Sequence, residues 1–366
     1  MNLLFLACTY YQLITCIQIK KKMYSNDSAV LLLTDDCADA DKVIRNLSNE
    51  STFENCFLLR KKHYYNEKTS ITDKLKHISY STFGSKEFSF LEERTFDKFF
   101  LYNDDFYSLW IFATVSKRNK KITLERYEEG LISYYVPENK ADTTLFYRVS
   151  TILRKLIGKP LFFNQMKVFY CFNSYLYHGT LHVIEIPEIN TSDKEMIVLL
   201  KNVFGIEEQS LHYEQKYIFL SSMIDSDGDG IPGGELEVIK NVTKLVGKDR
   251  VLVKVHPRDD IEKFTREDIL VDDNSSVPFE IIQLLYDFSE KVLITVLSGG
   301  VLTISSIINS PPSIIFTNKL YPKQDSQYLS KWGPQYQELI NEIKAHKSIM
   351  INMVNDLDEL KQVLSI

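Results

Sequence analysis

Short apolar runs that alternate with helix-length segments constrain this chain more than any other feature. In the first half, Asn2 to Ala7, Ala29 to Thr34, Phe57 to Leu59, Phe96 to Tyr102 and a run opening at Ile122 read as strands. Between them, about Gln12 to Lys22, Asp39 to Leu47 and Phe106 to Ser116 read as helices, and Asn103-Asp104-Asp105 supplies a cap for the last. Strands that recur with one helix between them pair in parallel, because the crossover helix needs the length of such a segment. The alternation restarts after about residue 195. Lys216 to Ser221, Arg250 to Val255, Lys291 to Val296 and Ser313 to Thr317 read as strands. Glu195 to Phe204, Glu235 to Val246, Phe279 to Leu285, Val301 to Ile308, Gln335 to His346 and Asp356 to Leu364 read as helices. Gly247 is the stop signal of the second of these.

The expected fold is α/β, with two Rossmann-like domains. The first spans residues 1–185 and the second 186–366, with Val183 to Glu195 as the link and the last helix packing back on the first domain. The length of 366 residues supports two cores, and 44% hydrophobic with 25% charged residues is an ordinary globular balance. A net charge of -6 argues against a dedicated nucleic-acid binder. Five cysteines without a Cys-x-x-Cys pair suggest reduced thiols, a cytoplasmic protein and no zinc site. The apolar stretch Leu3 to Ile19 has no basic residue ahead of it and is interrupted by Thr9, Tyr10, Tyr11, Gln12 and Thr15, so it reads as a buried strand and helix. Residues 145 to 180 are basic and aromatic, with Arg148, Arg154, Lys155, Lys159 and Lys167 among apolar side chains. Such a stretch suits either packing on the sheet or an anionic membrane surface.

Four places carry candidate chemistry. Lys254-Val255-His256-Pro257-Arg258 closes a strand, where an open α/β sheet delivers side chains into a ligand crevice. It reads as an anion site in which His256 offers a proton, flanked by Lys254 and Arg258. Glu128-Glu129-Gly130 follows a first-half strand, and alternation sends one carboxylate to each side, so one of them is a candidate general base. Ser298-Gly299-Gly300 sits between a strand and a helix and offers N–H groups and a hydroxyl to a phosphate, with Ser305-Ser306 further along. Asp225-Ser226-Asp227-Gly228-Asp229-Gly230 has the spacing of half a calcium loop, but Leu236 stands where the closing bidentate Glu belongs. One of Asp225, Asp227 and Asp229 is therefore a rival for the base, and no metal is expected.

The order acid-acid-Gly, His-Pro, serine turn resembles the bacterial sialyltransferases of glycosyltransferase family 52, which act on lipooligosaccharide and capsule, with the polysialyltransferases as cousins. The opening Asn2 to Ile19, with Tyr11-Gln12, and the string Lys254 to Arg258 are similar in character. The resemblance implies a GT-B architecture with a cleft between the domains. It implies an inverting sialyltransferase that uses CMP-sialic acid, a galactose-type acceptor hydroxyl on a bacterial surface glycan, and no cofactor. An acid of Glu128-Glu129 would be the base, His256 would meet the phosphate of departing CMP, and serines would hold that phosphate. In some members the base comes from the loop ahead of the His-Pro strand, which favours Asp225 to Asp229. It further implies peripheral association with the inner membrane surface and is compatible with a homodimer. Another nucleotide-sugar transferase of the same fold, a metal-dependent transferase using Asp225 and Asp227, and a calcium-stabilised carbohydrate-binding protein are the competing expectations.

Overall fold

The computed structural model describes the chain except residues 38, 61–70, 135–144, 207–212, 223, 226–229, 257–258, 273–276 and 365–366, with backbone alone for Ile71, Ile132, Leu145 and Phe146. It divides into two compact units, Met1–Pro187 with Asn202–Gly205, and Glu188–Lys201 with Ile206–Ile366.

The first unit is one seven-stranded sheet. Its strands are β1 (Asn2–Ala7), β2 (Ser28–Thr34), β3 (Asn55–Leu59), β4 (Lys98–Leu101), β5 (Thr123–Tyr127), β6 (Met166–Cys171) and β7 (His182–Glu185), in the order β3-β2-β1-β4-β5-β6-β7. All neighbours pair in parallel. The order reverses between β1 and β4, the switch point of a doubly wound sheet. Leu3 to Ala7 are buried, as a strand covered on both faces must be, and Phe5 stacks on Phe100 with centroids 4.4 Å apart. The Tyr10–Met23 helix opens on a capping box: Thr9 Oγ1 accepts from Gln12 N–H at 3.2 Å and Gln12 Oε1 accepts from Thr9 N–H at 3.3 Å. It is buried from Tyr11 to Lys20, which explains why its sequence shows no clean polar face. The Phe106–Val115 helix is buried from Tyr107 onward, and Asp105 caps it at 2.8 Å through Ser108 N–H, as expected.

The second unit holds β8 (Tyr217–Leu220), β9 (Val251–Lys254), β10 (Val292–Thr295), β11 (Ser313–Phe316) and β12 (Ile351–Met353), in the order β12-β11-β10-β8-β9, again all parallel. Here the switch point lies between β8 and β10. The expected α/β class with two Rossmann-like units is what the chain forms.

Three strands went unread in the sequence: β6, β7 and β12. β7 overlaps the start of the stretch expected to be a link. The helix expected from Gln335 starts at Gln327 and runs through Gly333-Pro334, capped by Ser326 Oγ accepting from Leu329 N–H at 3.1 Å. Among the described residues no helix is long and apolar enough to cross a membrane.

Candidate active site

In the second unit β8 lies between β9 and β10, so the segments leaving their C-terminal ends share one sheet edge. Two strand spacings, roughly 10 Å, separate the end of β9 from the end of β10. His256 leaves β9 two residues past its last paired position, half-buried, and its backbone is held from both sides. Its N–H donates to Ser221 Oγ at 2.8 Å, and its carbonyl accepts from Asp259 N–H at 2.8 Å. Ser221 N–H in turn donates to Lys254 O at 3.0 Å, extending the β8–β9 ladder by one bond. The ring is thus presented from a fixed backbone, as a group that must meet a reacting atom has to be.

Beyond β10, Ser298, Gly299 and Gly300 are half-buried and lead into the Gly300–Ser305 helix. Ser298 N–H donates to Thr295 Oγ1 at 3.1 Å. Gly299 has an ordinary helical φ of -66°, so its glycine answers crowding and not backbone strain. A Cβ there would lie 2.5 Å from the Tyr336 hydroxyl. The helix start adds N–H groups and partial positive charge to this edge.

Several expected ligands have other work. Lys254 is 5% exposed, and its Nζ lies 2.8 Å from Asp272 Oδ2, which also accepts from the Tyr213 hydroxyl at 2.5 Å. Burial lowers the Lys254 pKa and Asp272 raises it. Its ammonium is a core ion pair and not a flank of the anion site. Ser305 and Ser306 are buried as well: Ser305 Oγ accepts from Gln283 Nε2 at 3.0 Å, and Ser306 Oγ donates to Thr303 O at 3.0 Å. Neither hydroxyl is presented at the strand ends, because the helix turns both toward the interior. Pro257, Arg258, Asp227 and Asp229 lie outside the described residues.

Asp225 belongs to a charge cluster that sequence reasoning missed. Lys263 Nζ lies 2.7 Å from Asp259 Oδ2, 3.3 Å from Asp225 Oδ2 and 3.5 Å from Glu235 Oε2. Asp225 Oδ1 accepts from Glu235 N–H at 2.9 Å and from the Tyr321 hydroxyl at 3.2 Å. Glu235 Oε1 accepts from both the N–H and Oγ of Ser222, at 2.8 and 3.0 Å. Burial pushes the Glu235 carboxyl up to about 8, with Asp225 and Asp259 adding to the rise and Lys263 and the Ser222 N–H opposing it. The Lys263 contact reads as an ion pair and the shift reads as a protonated acid. Burial wins, because one ammonium is shared three ways and stands farthest from Glu235. The cluster fastens the segment after β8 to the turn after His256. The only sequence signal was a serine pair directly after a strand. Among the described residues no group of His, Cys, Asp or Glu is arranged to hold a metal ion.

In the first unit Glu128 and Glu129 follow the end of β5. Glu128 is 1% exposed. It accepts from the hydroxyls of Tyr11 and Tyr134, and from Phe172 N–H at 2.8 Å. Burial and the neighbouring carboxylate hold the Tyr134 phenol well above its usual range. Glu128 therefore ties the first helix, the Leu131–Tyr134 turn and the end of β6 together. Glu129 is half-buried, and its N–H donates to Ser133 Oγ at 2.7 Å. Gly130 follows at φ +114°, a left-handed conformation that favours glycine.

Residues 3–312 match the alpha-2,8-polysialyltransferase family, a span that contains Glu128-Glu129-Gly130, His256 and Ser298-Gly299-Gly300. The chain belongs to that family. The match falls on the polysialyltransferase side of the resemblance seen in the sequence, and it makes the protein a member of a sialyltransferase family. It is built of two tandem Rossmann-like units, which is consistent with the GT-B expectation. No curated protein matches it. Solved structures similar to it include a UDP-GlcNAc 2-epimerase from Neisseria meningitidis, with 12% identity and a TM-score of 0.46 over 100% of this chain and 98% of the other. MurG from Acinetobacter baumannii follows with 8% identity and a TM-score of 0.39 over 100% and 99%. A UDP-forming trehalose-phosphate synthase from Burkholderia vietnamiensis has 7% identity and a TM-score of 0.41 over 100% and 99%.

Proposed function

We propose that this protein transfers a sialyl residue from CMP-sialic acid to a glycan hydroxyl with inversion, without a metal ion. The reading is supported by the fixed backbone of His256 after β9 and the Ser298 turn after β10, at the C-terminal ends of two strands of one sheet and inside the span matched to the family. Glu129 takes the proton of the acceptor hydroxyl. The acceptor oxygen bonds to the anomeric carbon as the bond to the CMP phosphate breaks. His256 gives a hydrogen bond or proton to the departing phosphate, and Ser298 with the helix start at Gly300 receives its charge. A single displacement inverts the configuration. Asp225 is a weaker base, because both its oxygens already serve Glu235, Tyr321 and Lys263.

The acceptor shifts from the galactose-type hydroxyl expected of the sequence to the 8-hydroxyl of a terminal sialic acid, which the alpha-2,8 description of the family supports. The product is then a capsule-type surface polymer, made at the cytoplasmic face of the membrane. The test is CMP release from CMP-sialic acid with and without oligosialic acid, in EDTA, beside UDP-hexose donors. Acceptor-stimulated release with the CMP donor alone is expected. Turnover only with UDP-hexoses, or only with a divalent cation, would overturn the reading.

A further inference from the structure

From Thr143 to Ile184 the sequence contains no Asp or Glu, in a chain whose net charge is -6. The Leu145–Leu156 helix lies in this stretch. It turns Tyr147, Ser150 and Arg154 inward and leaves Arg148, Ile152, Lys155 and Leu156 exposed, a stripe that alternates basic and aliphatic side chains. The Ile71–Phe83 helix packs beside it and exposes Lys74, Leu75, Lys76 and Phe83. Arg154 joins the two: Nη1 donates to Thr82 O at 3.0 Å, while Nη2 donates to Ser116 Oγ at 3.0 Å at the end of the Phe106–Val115 helix. Leu75, Phe83, Ile152, Leu156 and Ile157, each between 46% and 77% exposed, are five of the twelve exposed large hydrophobics among the described residues.

We propose that this shared face docks on an anionic phospholipid bilayer, the basic side chains meeting headgroups while Leu75, Phe83, Ile152, Leu156 and Ile157 enter the acyl boundary. Charge complementarity selects an anionic partner. The interleaved aliphatics select a lipid over a soluble polyanion, which would leave them in water. The inference rests on the proposed synthesis at the cytoplasmic face of the membrane and gives the protein a surface that meets it. Its test reads binding and not turnover, so its failure leaves the transfer reaction in place.

The full chain is floated with vesicles of phosphatidylcholine alone and of an equal mixture with phosphatidylglycerol. Binding to the mixed vesicles is expected, weakened by salt and about tenfold poorer on the neutral ones. Ile152→Asn with Leu156→Asn should weaken it a further tenfold or so, and Lys155→Glu should also weaken it, with melting and turnover on a soluble acceptor unchanged. No binding, equal binding to both vesicles, or full binding by the double variant would overturn the proposal. So would dextran sulfate binding that survives the double variant while vesicles fail to bind, which would assign the face to a polyanion.

Discussion

Replacing Glu235 with Gln should flatten the dependence of stability on pH. The wild-type carboxyl is fully buried, and burial lifts it from an ordinary 4.5 to about 8. Between those values the folded protein keeps a proton that the unfolded chain has released. The folded state then binds more protons, so stability is greatest below about pH 4.5 and is lost as pH rises toward 8. The slope is at most about 1.4 kcal/mol per pH unit. The pull of Lys263 at 3.5 Å is already contained in the value of about 8, so the loss is roughly 2–3 kcal/mol between pH 6 and 9, part of a larger loss that begins near pH 4.5. The amide that takes the place of the carboxyl still offers an oxygen to Ser222 and has no proton to lose. By pH 6 wild type has already lost roughly 2 kcal/mol of this, so the variant should melt above it there; from pH 6 to 9 it should gain about a further 5–10 °C, at roughly 2–4 °C per kcal/mol for a domain of this size. Thermal melts of both proteins from about pH 5.5 to 9.5 span the window and measure the difference, in which every other titrating group cancels. Parallel profiles would refute the reasoning and show that Glu235 is ionised throughout as a partner of Lys263.

The adjacent acids should separate. Glu128→Ala strands the hydroxyls of Tyr11 and Tyr134 and the Phe172 N–H, and should destabilise by about 3 kcal/mol or more in a denaturant melt. Glu129→Gln should leave melting within about 0.5 kcal/mol and lower kcat by roughly 10²–10⁴; the reverse pattern would move the base to Glu128. Lys254→Met leaves the buried Asp272 without its cation and should cost about 3–5 kcal/mol, much of it recovered when Asp272→Asn is added. Gly299→Ala sets a Cβ 2.5 Å from the Tyr336 hydroxyl and should cost about 1–3 kcal/mol in melting, relieved by Tyr336→Phe.

The sheets were legible where a strand is a continuous apolar run, as in β1, β2 and β8, because burial on both faces leaves one composition. β6 was hidden by Lys167 within a basic, aromatic stretch, and β7 by being a half-exposed edge strand with Pro187 close behind it. β12 has three residues, too few for a period. Gly333-Pro334 looked like a helix boundary, yet the helix carries Pro334 in its interior, where tertiary packing outweighs the missing bond. At the site, the place of His256 followed from a strand end and a proline. The fate of Lys254 did not, since its partner Asp272 comes from a later segment bridged beside β9. Alternation predicted that Glu128 and Glu129 differ in surroundings but not which one is buried. That depended on Tyr11, 117 positions away in sequence. The Lys263 cluster joins separate segments, and the serine pair after β8 was its one local sign.

The most direct measurement is CMP release from CMP-sialic acid by wild type and His256→Ala, each with oligosialic acid and with melting recorded. Release by wild type that rises with acceptor, and falls by about 10²–10⁴ in a variant that melts like wild type, is the predicted result. Near-normal release by the variant would contradict the assignment of His256 to the departing phosphate.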